Sequence, residues 1–104
     1  MYIMCWGTPA IVLELGEDGS TAKVDYGDGV AREVLIGITE DKLSRGDIVI
    51  VHAGVIVSKL TPEGFREEVE FLKSILREAG EPELLLLVQL RENILEIAER
   101  LRQR

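Results

Sequence analysis

Apolar positions in the first sixty residues come in short runs bounded by glycine. Pro9 to Leu15 is a β-branched-rich run closed by Gly16-Glu17-Asp18-Gly19, a turn signal. Thr21 to Tyr26 alternates loosely in polarity. Gly27-Asp28-Gly29 then reads as a tight hairpin turn, and Val30 to Ile36 as its partner strand. A polar connection from Thr39 to Arg45 leads through Gly46-Asp47 into Ile48 to Ala53. Gly54 interrupts the run before Val55 to Leu60. Short strands of this number and spacing predict a mainly β chain built on a small OB-like β-barrel of about five strands, because closure removes exposed edges.

After Leu60 the period changes from two to about 3.6. Thr61-Pro62-Glu63 reads as a helix start, with Thr61 as cap and Pro62 in the first turn. Phe65, Val69, Leu72 and Leu76 fall on one face, and Gly80 and Pro82 end the segment. A second helix is predicted from near Glu83. Leu87, Leu90, Ile94, Ile97 and Leu101 recur at alternating spacings of three and four, a short heptad seam. That seam is expected to pack on the first helix as a hairpin, or on a second copy of the chain. The barrel is assigned to residues 1–60 and the C-terminal helical segment, two helices, to residues 61–104, as one compact unit.

Composition narrows the function classes. The chain has 104 residues, 46% of them hydrophobic, enough for one domain with a real core. A formal net charge of −7 argues against a phosphate-backbone binder and against docking on anionic membranes, so neither nucleic acid nor membrane is expected as a partner. A single cysteine makes no internal disulfide, and no basic leader is visible. Leu84 to Val88, the longest purely apolar run, is too short to span a bilayer. A cytoplasmic location follows as the expectation.

Two residues stand out chemically. Cys5 lies directly behind Met4 near the chain start, and His52 is the only histidine. Thiolate and imidazole suit iron, copper or zinc, but two ligands make only half a site. A Cys–His hydrolase dyad is the rival reading; no orienting Asn or oxyanion nest accompanies the pair. Glu17-Asp18, Glu40-Asp41, Glu67-Glu68 and the arginines at 100, 102 and 104 read as solvated surface. No glycine cluster leads into a helix as a phosphate loop would.

Three stretches resemble the HypC/HupF family of hydrogenase maturation chaperones. Met4-Cys5-Trp6-Gly7-Thr8-Pro9 is similar to that family's Met-Cys-x-Gly-x-Pro opening. Val24 to Val34 resembles its aspartate–aromatic–glycine hairpin followed by Arg-Glu-Val. Gly46 to Gly54, running on to Ser58-Lys59-Leu60, is similar to its Gly-Asp-x-Val-x-Val-His-x-Gly signature. Together they cover roughly residues 4–76 in order. The segment from Gly80 to Arg104 extends past the usual short form.

The resemblance implies an accessory protein and not an enzyme. Its cargo would be iron, held transiently as an Fe(CN)₂CO unit, with no cofactor bound permanently. Its partners would be the scaffold protein HypD and the precursor of the [NiFe]-hydrogenase large subunit. The family roles carry over to Cys5 as the functional thiol and His52 as its assistant. Met4, Cys5, Trp6, Gly7, Pro9 and Gly54 would meet the partner. Exposure of Cys5 as a mature N-terminus further implies that translation starts at Met4. An OB-type nucleic-acid-binding module and a metal-free interaction adaptor that self-associates through the C-terminal helix are the alternative functions.

Overall fold

The computed structural model describes residues 7–37, 42–79 and 82–102. Five strands appear where the glycine-bounded runs placed them: β1 (Thr8–Leu15), β2 (Thr21–Asp25), β3 (Ala31–Ile36), β4 (Ile48–His52) and β5 (Val55–Leu60). Two helices follow, α1 (Pro62–Ala79) and α2 (Pro82–Arg102). The strands close into a barrel in the order β1-β2-β3-β5-β4, with β4 returning to β1. Every pairing is antiparallel except β3 with β5, which meet in parallel over Leu35–Val55 and Ile36–Ile56. The expected OB-like barrel with a helical segment is therefore the observed fold.

The barrel interior is filled by Ala10, Val12, Ala22, Val24, Val34, Val49, Val51 and Ile56. Small and β-branched side chains suit so narrow a cylinder. The opposite face of β1 is also covered: Ile11 joins Ile48 in a second core with Phe65, Val69 and Leu76 of α1 and Val88, Ile94, Leu95 and Ala98 of α2. Burial on both faces explains why β1 reads as an unbroken apolar run. A bulge at Leu13, where the register passes from Val12–Val24 to Glu14–Lys23, lies within this second contact, and Leu13 packs against it.

Helix α1 starts as its sequence dictates. The Gly64 amide donates to Thr61 Oγ1 at 3.0 Å and the Phe65 amide to the Thr61 carbonyl at 3.0 Å. Its expected face is the buried one: Phe65, Val69 and Leu76 are buried and Leu72 packs against them. Helix α2 follows the heptad seam only in part. Ile94 is buried and Ile97 and Leu101 pack against the core, but Leu87 is 47% exposed, while Val88, Leu95 and Ala98, outside the seam, are buried. The reason is geometric. The helix is wedged between α1 and the barrel, so its buried arc spans two contacts and no single seam describes it. Lys73 Nζ ties the pair, donating to Glu92 Oε2 at 2.9 Å and lying 3.5 Å from Glu70 Oε2.

Candidate functional site

Inward positions of β4 are Val49 and Val51, so Ile48, Ile50 and His52 point outward. Along that row burial falls from closed at Ile48, through half-buried Ile50, to exposed His52. The helices cover one end of the strand and leave the other open. β1 runs antiparallel beside it, with Thr8 opposite Val51, Pro9 opposite Ile50 and Ile11 opposite Ile48. One residue before Thr8, the chain therefore passes His52.

Gly7 shows how close that passage is. Its φ is +95°, and a β-carbon built there would collide with the Val51 carbonyl oxygen and lie 3.1 Å from the His52 α-carbon. Only glycine meets both demands at this position. Cys5 lies two residues earlier in the sequence. Met4, Cys5 and Trp6 themselves lie outside the described residues. Pro9 is buried in β1, whereas Gly7 and Gly54 are exposed.

The other side of His52 is a two-residue connection. His52 pairs with Val55 across Ala53 and Gly54, whose φ angles are +51° and +80°. Both central residues at positive φ make this the tight turn whose twist matches the flanking strands. The Gly54 carbonyl accepts from the Leu35 amide at 2.9 Å, fastening the turn to β3. His52 thus stands on a strand end fixed on both sides. Among the described residues, no group of three or more His, Cys, Asp or Glu side chains is placed to hold a metal ion. Nor is any described helix long and apolar enough to cross a membrane.

The aspartate–glycine hairpin serves the scaffold. The buried Asp25 carboxylate accepts from the Gly27 amide at 2.6 Å and the Gly29 amide at 3.1 Å. Asp28 forms a two-pronged pair with Arg32 at 2.8 and 3.1 Å. That guanidinium, and then the Val30 amide, hold the Asp28 carboxyl below its ordinary range. Arg32 also lies over the Tyr26 ring, 5.0 Å from its centre. The turn so fixed receives α2: a β-carbon on Gly27 would collide with the Leu90 carbonyl oxygen. Asn93 Nδ2 donates to the Gly27 carbonyl at 2.8 Å. Sequence reasoning took Gly27 only as a turn residue and missed Asn93, a polar residue inside an apolar helix face.

The profile of the HupF/HypC family matches residues 4–72, about two thirds of the chain, from the opening before Gly7 through the first half of α1. The hydrogenase maturation factor HypC of Helicobacter hepaticus (strain ATCC 51449 / 3B1) is 34% identical over 80 residues, covering 77% of this chain and 91% of the relative. With the barrel, the hairpin and the histidine-bearing strand end inside the matched span, the chain belongs to the HupF/HypC family.

Proposed function

We propose that this chain is a hydrogenase maturation chaperone that carries iron as an Fe(CN)₂CO unit between a HypD scaffold and the precursor of the [NiFe]-hydrogenase large subunit. Family membership supports the general role. The observation that supports the reading is the seat of Gly7, two residues after Cys5 in the sequence, against Val51 and the backbone of the exposed His52. Cys5 is the ligand of the iron unit: its thiol loses a proton and the thiolate donates to iron. His52 either donates a ring N–H to that sulfur or ligates iron through a neutral ring nitrogen.

Two ligands leave most of the iron sphere to the diatomic groups and to partner residues, as a donor that must later release its cargo requires. The protein acts as a carrier and not as an enzyme, holds no cofactor of its own, and works in the cytoplasm, where the thiol stays reduced. Met4, Trp6, Gly7 and Gly54 shape the surface that the partners read around Cys5, and Pro9, buried in β1, acts only by holding the strand beneath it. The test is infrared spectroscopy of the complex isolated from its native cell. Cyanide and carbonyl bands are expected with the natural chain, are lost in Cys5→Ala with the barrel still folded, and are weakened in His52→Ala. Full hydrogenase maturation with Cys5→Ala, in cells without a second such chaperone, overturns the reading.

A further inference from the structure

The helical hairpin has two sides. One is marked by the Lys73–Glu92 bond and by a cavity of about 270 Å³ between the helices, lined by Arg77, Leu85 and Gln89 among others. Helical residues advance about 100° each. Turning the other way from the Leu76–Val88 contact brings Leu72 and Ile75 of α1, and Leu87 and Arg91 of α2, onto the opposite side. That opposite side faces the barrel. Ile94 and Ala98, seven residues beyond Leu87 and Arg91 on the same stripe, are sealed in the core that contains Ile11 and Ile48. Toward the hairpin tip the seal ends. Ile75 is 46% exposed, Leu87 47%, and Phe71 on the flank of the same side 64%.

Arg91 stands at the edge of this uncovered stretch. Its Nη1 reaches only the Leu87 carbonyl, at 3.3 Å. Its Nε is buried without a hydrogen-bond partner, and no described carboxylate lies within ion-pair distance. Among the described residues this half-buried guanidinium has no acid beside it, in a chain with 19 acidic and 12 basic residues. We propose that the tip side of the hairpin, Ile75 and Leu87 around Arg91, docks an apolar helix of a partner protein that presents one Asp or Glu carboxylate to Arg91. The planar fork of arginine fits a carboxylate with two parallel bonds. Aliphatic and aromatic side chains around a central arginine are the usual makings of an interface anchor. A second copy is a poorer occupant, because two chains of net charge −7 repel. Leu87 and Arg91 lie beyond the residues that the family model matches, 4–72.

The test places a photoreactive p-benzoylphenylalanine at position 87, and in a second variant at position 71, of the full chain in its own cell. Cross-linked peptides are then identified by mass spectrometry. The expected product is a partner peptide with an Asp or Glu within one helical turn of the cross-link. Arg91→Met, which keeps the aliphatic stem, should lower its yield about tenfold or more, and Arg91→Lys by no more than about threefold. Circular dichroism should be unchanged in both, and Cys5→Ala should leave the cross-link intact. Cross-links only to a second copy, only within the chain, or none from either position overturn the proposal. So does a yield indifferent to Arg91→Met, which would leave the arginine as a cover for apolar surface.

Discussion

The side-chain amide of Asn93 and the carbonyl of Gly27, 66 residues apart, are joined at 2.8 Å. This bond fixes α2 against the barrel at the point where Gly27 already touches the Leu90 backbone. Asn93→Ala should cost about 1 kcal/mol, the net worth of one such hydrogen bond. For a domain near this size that is a fall of several degrees, about 4–8 °C, in Tm. Gly27→Ala should cost more, because its φ of +98° disfavours a side chain as well. Thermal unfolding of the two variants checks the order.

Removal of α2 should be far more damaging. Val88, Ile94 and Leu95 are buried in the core shared with Ile11 and Ile48. Burial of each large aliphatic side chain contributes about 1.5–3 kcal/mol, so their joint loss rivals the whole stability of a small domain. A chain ending at residue 80 is expected to aggregate or to unfold at markedly lower denaturant. An unchanged unfolding midpoint would show the helix to be dispensable.

Gly7→Ala tests the seat beside His52. The substitution meets both a positive φ and the Val51 carbonyl, so the chain should lift away from β4 at its first residues. Faster amide exchange at Thr8 is the expected signature, with the rest of the barrel protected. In cells, maturation should fall although Cys5 and His52 are both retained.

Ala53 carries left-handed backbone strain, at φ +51°. Ala53→Gly should relieve it and raise stability by about 0.5–1 kcal/mol, net of the added freedom of the unfolded chain. Chemical denaturation measures the change.

The Lys73 ion pairs give a pH dependence. The hydrogen bond and charge of Glu92, and then the charge of Glu70, raise the Lys73 pKa above its ordinary 10.5. The folded state holds this proton more tightly than the unfolded chain does. While the two glutamates are ionised, the contribution is therefore complete below pH 10.5 and is lost as pH rises through the higher folded value. Lys73→Met should flatten the alkaline end of the stability curve, as denaturant melts between about pH 9 and about 11 would show.

The strands were legible because glycine punctuates each of them, and α1 because it buries one face only. Helix α2 was legible as an element starting near Glu83, but its buried face only in part, since two neighbours share its surface and Asn93 and Arg91 interrupt any single apolar stripe. The site was half legible. His52 could be singled out as the only histidine, but its nearness to Gly7 depends on a pairing, Thr8 with Val51, that no local pattern specifies. The Asn93–Gly27 bond was invisible for the same reason.

The fading of cover along Ile48, Ile50 and His52 also has an evolutionary consequence. Residues under the helices are answerable to packing, and those at the bare end of the same strand to whatever approaches from outside. A substitution under the helices is therefore tolerated only if it keeps volume and apolarity, whereas one at the bare end leaves the core as it was and is felt only by what arrives there.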